Sequence, residues 1–272
     1  MKCLNGEMTV GMTRYIERLS LSKKLKMQTS WPNFHNLMYS TIYRKLDTTG
    51  LMTLNTQVYS GKNNYNKDKE RVLMINYTER LDSALRKAAW AHEQARQHRK
   101  GSDIPYIIHP VGVMMIASNV TDDEDVLIAC LMHDVLEDVD SKIYSKADMQ
   151  KQFGDRVVAI VKDVTKDSSE KDWHERSKAY LHHLQNGACE EAVIVSASDK
   201  IHNLKSILTD HSAYGEAIWS KFTTKSSSDQ LWWYKSILEV ITSRKAPHSL
   251  VDELAKEVNK LEKAIRDNLN TD

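Results

Sequence analysis

The chain carries two pairs of ionisable residues that could do chemistry together, His133-Asp134 and, four residues further on, the acidic pair Glu137-Asp138. The surrounding sequence, TDDEDVLIACLMHDVLEDV, has apolar residues on both sides of each pair, which predicts a mostly buried helix over residues 122–138. On one continuous helix, His133 and Glu137 would share a face, and Asp134 and Asp138 would share the adjoining one. Burying four ionisable groups is unfavourable unless something compensates them. A divalent cation would do so, and we therefore expect a metal site on this helix.

A lone His-Asp pair on a helix usually has no functional meaning, so partners elsewhere in the chain decide the interpretation. His109 lies in PYIIHPVGVMM, and Asp199 lies in VIVSASDKIHNL, each beside an apolar run. With His133 and Asp134 they offer two imidazoles and two carboxylates, a set that suits a divalent metal such as Mn²⁺ with positions left for water and substrate. The sequence has no CxxC or HExxH spacing at these residues, which disfavours a structural zinc site.

Four motifs in consistent order carry a family resemblance. They read RKGSDIPYIIHP, LMHDVLEDV, FGDRVVAIVKDVTK and SDKIHNL, within residues 76–243. The order His, His-Asp, Asp resembles the signature of the HD superfamily of metal-dependent phosphohydrolases. The sequence around these residues resembles the hydrolase domain of RelA/SpoT enzymes. The order and spacing of the motifs are similar to those of the small stand-alone alarmone hydrolases of the metazoan SpoT-homologue type. The resemblance implies an all-α HD-domain helical bundle with a metal site in its core.

The resemblance also implies a role for each matching residue. Glu137 and Asp138 match the catalytic acidic pair, and Asn203 matches a position that contacts the nucleotide. Arg99 and Lys100 match a basic pair that lies against the guanine base and the phosphates. The implied metal ligands are His109, His133, Asp134 and Asp199.

The implied activity is metal-dependent hydrolysis of guanosine 3′-diphosphate 5′-(di/tri)phosphate, (p)ppGpp, to GDP or GTP and pyrophosphate. Two departures leave alternatives open. A serine stands at Ser196, where the family usually has a basic residue, and the 100–105 stretch is longer than in the long RelA/SpoT proteins. One alternative is a phosphohydrolase for another nucleotide such as NADPH. The other is a non-catalytic HD-fold protein that binds a nucleotide or a partner.

Composition narrows the classes of partner and compartment. The 272 residues carry 38 basic and 37 acidic side chains, a net charge of +1, so charge gives no case for DNA, RNA or membrane binding. Cys3, Cys130 and Cys189 are widely separated in the sequence. This spacing predicts reduced thiols and a cytoplasmic protein. The chain shows neither an apolar run of membrane-spanning length nor a secretory signal.

Hydrophobic periodicity divides the chain into three parts. Residues 1–73 are polar and weakly patterned and predict a loosely structured N-terminal extension, with a start of the native protein at Met74 as the alternative. Residues 74–245 predict the hydrolase domain, and residues 246–272 predict an amphipathic helix. Thr121 or Asp122 is the expected N-cap of the first helix described above, and Gly154 is an expected C-cap. The predicted helices cover 78–98, 107–118, 122–138, 146–153, 155–164, 173–185, 188–208, 212–221 and 229–243.

Three further features have ordinary structural explanations. Most of the remaining histidines, His202 among them, are expected to lie at the surface or in helix packing rather than to bind metal. Two of the three aromatics in LWWYKSIL (231–238) are expected in the core. In the C-terminal segment, apolar residues at three- and four-residue intervals form a short heptad seam, which could dock on the domain or form a homo-oligomer through 248–269. The seam residues are Val251, Leu254, Val258, Leu261 and Ile265.

Overall fold

The structure is a computed structural model that describes residues 75–100 and 102–269, and within these residues it is helical apart from one isolated bridge between His98 and Pro105. The expectation for residues 1–73 falls outside the described residues. The helices are α1 (Glu79–Gln94), α2 (Ile108–Ala117), α3 (Glu124–Met132), α4 (Val135–Asp138), α5 (Lys146–Phe153), α6 (Asp155–Val164), α7 (Trp173–Asn186), α8 (Glu190–Tyr214), a 3-10 helix (Gly215–Lys221), α9 (Ser227–Ser243) and α10 (His248–Leu269). The all-α prediction is confirmed.

Short polar side chains set the starts of several helices by accepting hydrogen bonds from free backbone N–H groups. At α5, Ser145 and Asp148 form a reciprocal capping box. The N-cap of α3 was predicted at Thr121 or Asp122, but it is Asp123, whose side chain accepts from the Asp125 amide. The side chains that cap α1, α7 and α9 belong to Thr78, Asp172 and Ser226.

Gly154 separates α5 from α6 and serves both as the C-cap of the first and the N-cap of the second. Its φ of +90° is a conformation that residues with a Cβ rarely adopt. The predicted C-cap at this glycine is confirmed, and the tight join lets α6 turn its apolar face toward α3 and α8.

Helix α8 is the centre of the fold and packs against α2, α3, α6, α9 and α10. Its residues from Val195 to Ile201 are all buried, so its middle is enclosed on every side. Small residues, Ser196, Ala197 and Ser198, allow the neighbouring helices to approach closely there. The buried segment also contains two charged residues, Asp199 and Lys200, and this placement brings ionisable groups into the core.

The single helix predicted over 122–138 is wrong in one respect, because it is interrupted at His133-Asp134 and forms α3 and α4. The His133 Nδ1 lies 2.8 Å from the Cys130 carbonyl oxygen, so the side chain competes with the backbone for that acceptor. Asp134 has φ −90° and ψ −9°, at the edge of the right-handed helical region. The four-residue spacing to Glu137 and Asp138 therefore does not define one continuous helical face.

The end of α8 also differs from the prediction. A break was expected between 208 and 212, but α8 continues to Tyr214, and residues 215–221 form a 3-10 helix instead of an α-helix. Gly215 ends α8 with a φ of +60°, which explains why the helix stops there.

The C-terminal helix α10 packs against α8 and α9. Of its apolar seam, Leu254, Val258 and Leu261 are buried, while Val251 and Ile265 are partly buried against the same core. The seam thus docks within the chain, the first of the two alternatives. The homo-oligomer through 248–269 and the domain boundaries at 74–245 and 246–272 stay predictions.

Among the described residues, no helix combines the length and the apolar character needed to cross a membrane. In the segment LWWYKSIL, Trp233 and Tyr234 are buried, whereas Trp232 is only partly buried. The prediction that two of these three aromatics lie in the core is confirmed.

Candidate metal centre

Residues from three separate elements converge at the predicted metal site. His109 lies in the first turn of α2, His133 follows the end of α3, and Asp199 lies in the buried middle of α8. One ligand atom from each of these residues lies within 4.8 Å of the others, and all three residues are buried. Asp134 is outside that group of three, but its Oδ2 lies 3.4 Å from His109 Nε2 and 3.0 Å from His133 Nε2.

His133 tests whether this cluster suits a cation. Its Nδ1 faces the Cys130 carbonyl, which can only accept, so Nδ1 carries the hydrogen and a neutral ring presents the Nε2 lone pair. That Nε2 is fully buried and makes no hydrogen bond, although it lies 3.0 Å from Asp134 Oδ2 and 3.7 Å from Asp199 Oδ1. A lone pair aimed at two carboxylates is repulsive unless positive charge lies between them. The donor set therefore fits a divalent cation held by nitrogen and oxygen ligands.

The pKa shifts indicate the same deficit of positive charge. Burial opposes the charged form of His133, but the carboxylates of Asp134 and Asp199 outweigh burial and raise its pKa well above the usual value. Burial also opposes ionisation of Asp134, yet the nearby imidazoles of His133 and His109 hold the pKa of that carboxyl well below its usual range. The cluster therefore favours ionised carboxylates at Asp134 and Asp199 with a positive charge between them.

His109 is oriented by a second histidine. Its Nδ1 lies 2.9 Å from the Nδ1 of His202, and its Nε2 lies 3.1 Å from Asp199 Oδ1. Burial, followed by the charges of His109 and Arg99, lowers the pKa of His202 to about 4, so that ring is neutral near pH 7. A neutral His202 that accepts at Nδ1 makes His109 the donor there and leaves the His109 Nε2 lone pair for a metal.

Asp134 is oriented from the opposite side by Tyr106. The Tyr106 hydroxyl donates to Asp134 Oδ2 over 2.6 Å, and its ring packs at 4.7 Å, centroid to centroid, against the buried ring of His92. His92 Nδ1 lies 2.5 Å from Gln97 Oε1, and the Gln97 amide donates to the Asp138 carbonyl over 3.2 Å. These contacts connect α1 and the α1–α2 loop to the Asp134 carboxylate and to the backbone of Asp138.

The two predicted catalytic carboxylates lie in α4 beside the cluster. The Lys166 backbone N–H donates to Glu137 Oε2 over 3.0 Å, which fixes one oxygen of that carboxylate and leaves the other. Burial, followed by the charges of Asp134 and Glu137, raises the pKa of Asp138 to about 7. One carboxylate is thus held in place, and its neighbour exchanges a proton near neutral pH.

The predicted substrate-binding residues lie next to the ligands. Asn203 Nδ2 donates to Asp199 Oδ1 over 2.5 Å, and the Arg99 guanidinium donates to Asn203 Oδ1 over 3.1 Å. The Lys100 ammonium lies 5.1 Å from the centre of the Phe222 ring. Arg99 therefore borders the cluster through Asn203, while Lys100 lies against Phe222, the residue that follows the 3-10 helix.

Sequence reasoning missed several residues that contact this site. Tyr106 precedes His109 by three residues, and His202 follows Asp199 by three, so helical spacing from a predicted ligand was the available signal for both. Lys200, whose ammonium pairs with Asp199 Oδ2, is adjacent to a predicted ligand and was also not identified. His92 and Gln97 offered no signal, because their contribution depends on how the α1–α2 loop folds.

Comparison with known proteins agrees with this geometry. The sequence pattern of the HD domain family matches residues 84–225, more than half of the chain. The chain is 36% identical over 126 residues to the Drosophila melanogaster guanosine-3′,5′-bis(diphosphate) 3′-pyrophosphohydrolase MESH1, covering 45% of this chain and 66% of that protein. It is 29% identical over 148 residues to the Aquifex aeolicus guanosine-3′,5′-bis(diphosphate) 3′-pyrophosphohydrolase, covering 54% of this chain but only 21% of that protein.

Solved structures resemble the chain over a longer stretch. The structure of a metazoan orthologue of SpoT that hydrolyses ppGpp superposes with a TM-score of 0.58 and 27% identity, covering 69% of this chain and 98% of that one. The crystal structure of lmo0812 from Listeria monocytogenes superposes with a TM-score of 0.50 and 28% identity, covering 58% and 97%. From the matched family pattern and the His, His-Asp, Asp cluster, the chain belongs to the HD domain family.

Proposed function

We propose that this chain is a metal-dependent pyrophosphohydrolase that converts (p)ppGpp to GDP or GTP and pyrophosphate. The observation that carries the proposal is the convergence of His109, His133 and Asp199 beside the acidic pair in α4. The similarity to a metazoan SpoT orthologue that hydrolyses ppGpp, over 98% of its length, supports the choice of substrate.

The ligands that we propose for the metal are His109, His133, Asp134 and Asp199, with Mn²⁺ as the ion that suits two imidazoles and two carboxylates. When bound, the ion supplies a Lewis acid for a phosphoryl oxygen and lowers the pKa of a coordinated water. The chain itself contributes a rigid set of ligands, because His202 contacts His109 and Tyr106 donates a hydrogen bond to Asp134.

Glu137 and Asp138 are the residues that we assign to proton transfer. The fixed Glu137 carboxylate has one oxygen held by the Lys166 amide, which leaves the second to orient or deprotonate the attacking water. Asp138 lies one residue further along α4 and can pass a proton to the departing oxygen. In the reaction, an O–P bond forms between water and the 3′-bonded phosphorus, and the bond from that phosphorus to the ribose 3′-oxygen breaks. One water proton goes to a carboxylate, and the 3′-oxygen leaves as a hydroxyl.

Arg99, Lys100 and Asn203 are the residues that we assign to the nucleotide. The Arg99 guanidinium reaches Asn203 and also lies 5.7 Å from the centre of the Tyr106 ring, so it is positioned between the α1–α2 loop and α8. A planar cation there could stack on a base or pair with phosphate oxygens. With a net charge of +1, we expect local cations rather than a global field to attract the substrate, and we expect no binding of DNA or RNA.

The deciding experiment is product analysis after incubation of the purified chain with Mn²⁺ and ppGpp. We expect equal amounts of GDP and pyrophosphate, lost in Asp134→Ala and retained in Asp252→Ala, an exposed aspartate of α10. Orthophosphate released from NADPH, with ppGpp left intact, would support the other nucleotide phosphohydrolase. Metal binding without turnover of either nucleotide would support a binding protein.

The cytoplasm is the compartment that we propose. The basis is that Cys130 and Cys189 are both free thiols. Fractionation of cells that express the full chain would test this placement, and recovery in an oxidising compartment would contradict it.

A further inference from the structure

Two lysines from different elements place their ammonium groups over the same pair of aromatic rings. Lys166 follows the end of α6, and its Nζ lies 4.3 Å from the centre of the Trp233 ring and 5.6 Å from that of Tyr180. Lys200 approaches from α8, with its Nζ at 5.7 Å from the Trp233 ring and 5.4 Å from the Tyr180 ring. Both rings are buried, so they form a fixed support shared by two positive charges.

The two lysines differ in how their charges are compensated. The Lys200 ammonium forms an ion pair with the buried Asp199 carboxylate. The Lys166 ammonium is half-buried and, among the described residues, makes no ion pair and no hydrogen bond to an acceptor, so its close contacts are the two rings. A second ammonium that shares these rings is repelled by the first and has lost part of its hydration. Stabilising the rings would need only one of them.

The residues that Lys166 and Lys200 contact relate these two positive charges to the proposed reaction. Lys200 contacts a carboxylate of the metal cluster, and the backbone N–H of Lys166 holds Glu137. The two residues therefore contact both the metal cluster and the acidic pair of α4, Lys200 through its ammonium and Lys166 through its backbone. An anion bound by both ammonium groups would lie next to Asp199, whereas Arg99 approaches the same carboxylate from another direction, through Asn203.

We propose that Lys166 and Lys200, supported by Tyr180 and Trp233, form a subsite for the pyrophosphoryl group that is released. The proposal rests on the proposed function for the identity of the substrate, but the ligand chemistry is more general, a diphosphate anion. Lys166 supplies the charge that is free to pair with the outer phosphate. Lys200, already paired with Asp199, adds a second donor close to the metal cluster.

Equilibrium binding of inorganic pyrophosphate to the full chain, measured calorimetrically with and without Mn²⁺, tests the subsite without any turnover. Lys166→Met keeps most of the side-chain volume and removes the charge. We expect it to weaken pyrophosphate binding by roughly 10- to 100-fold, the range for a hydrogen bond to a charged group. Lys166→Arg restores a cation and should recover most of the affinity. The matched control is Lys162→Met, at an exposed lysine of α6, which should change the affinity by less than about twofold.

The proposal is overturned if the wild-type chain does not bind pyrophosphate, or if Lys166→Met binds it as well as Lys162→Met does. Thermal unfolding of each variant separates loss of the subsite from loss of the fold. Failure of the subsite and failure of the proposed function give different results. Turnover of ppGpp with no effect of Lys166 on pyrophosphate binding removes the subsite alone. Lys166-dependent binding of pyrophosphate without turnover of ppGpp removes the proposed function alone.

Discussion

The ring of His202 occupies the space directly over Gly112, and this position allows it to meet His109. The two histidine Nδ1 atoms are 2.9 Å apart, and a Cβ built on Gly112 would lie 2.2 Å from the His202 Cδ2. Gly112 is on α2, the helix that carries His109, while His202 is on α8. The absence of one side chain on α2 thus permits the contact that orients a proposed metal ligand of the same helix.

This relationship predicts a specific pattern of metal affinities. His202→Ala removes the acceptor for His109 Nδ1, and we expect about 10- to 100-fold weaker Mn²⁺ binding, as for other partners of metal-ligating histidines. Gly112→Ala should weaken it similarly, because its new methyl group displaces the His202 ring. The double variant should bind Mn²⁺ no more weakly than His202→Ala alone, because the displaced ring is already gone.

Titration of the metal-free chain with Mn²⁺ measures all three dissociation constants. Gly187→Ala is a matched control, because its Cβ would lie 2.9 Å from the His183 Nδ1, at a histidine outside the metal cluster. It should leave Mn²⁺ affinity unchanged. Additive losses in the double variant would show that Gly112 and His202 act independently, and the explanation through ring position would then be wrong.

Asp134 and Glu137 should be separable by experiment although they are three residues apart. Asp134→Ala removes a proposed ligand, and we expect both Mn²⁺ binding and turnover to be lost. Glu137→Ala should keep Mn²⁺ affinity within about twofold and lower kcat by roughly 10²- to 10⁴-fold, the usual contribution of a positioned acid or base. Parallel metal titrations and product assays measure the two effects. Loss of Mn²⁺ in Glu137→Ala would instead make Glu137 a ligand.

Much of the fold was predictable because its helices are strongly periodic and end at recognisable residues. The helices over 146–153 and 155–164 were predicted to the residue, and Gly154 between them gave the signal. The break at His133-Asp134 was not predictable from periodicity, because the apolar pattern continues through it. It results from a side-chain contact with the Cys130 carbonyl, which only the folded geometry reveals.

The candidate site likewise has residues that the sequence identified and residues that only the folded structure reveals. The family resemblance identified the residues that converge in the structure, because the order His, His-Asp, Asp can be recognised along the sequence. The subsite of Lys166 could not be inferred in that way, because its meaning depends on Trp233, 67 positions away in the sequence numbering. The sequence suggested instead that a basic contact was missing at Ser196. In the structure, the Ser196 hydroxyl lies 2.8 Å from the Tyr180 hydroxyl, and Lys166 lies over that same tyrosine ring.

The docking of α10 predicts a concentration-independent effect on stability. Leu254 is fully buried where α10 packs on the domain, so Leu254→Ala should lower the free energy of unfolding by about 2–5 kcal/mol. Lys256→Ala, at an exposed position of the same helix, should change it by less than about 0.5 kcal/mol. Denaturant unfolding at several protein concentrations measures both. A midpoint that rises with protein concentration would indicate that the seam joins two chains.

Lys166 also predicts how pyrophosphate binding depends on pH. Burial, followed by repulsion from Lys200, lowers the pKa of Lys166 to about 8, against smaller attractions from Glu137 and Asp199 and a further repulsion from Arg176. The group is therefore an ammonium below about pH 8 and becomes a neutral amine above it. Pyrophosphate also loses protons in this range, so the informative quantity is the affinity of the wild type relative to Lys166→Arg. That ratio should be constant below about pH 8 and fall above it, by no more than the loss that Lys166→Met shows.

Calorimetric titrations with pyrophosphate would measure this dependence. They should run from roughly pH 6.5 to pH 10, the range in which a perturbed lysine changes charge. Lys166→Arg is the decisive comparison, because a guanidinium keeps its charge throughout that range. The variant should bind pyrophosphate with an affinity that no longer falls above about pH 8. If the wild type and Lys166→Arg lost affinity in parallel, the titrating group would be another one, and the charge on Lys166 would not be what holds the anion.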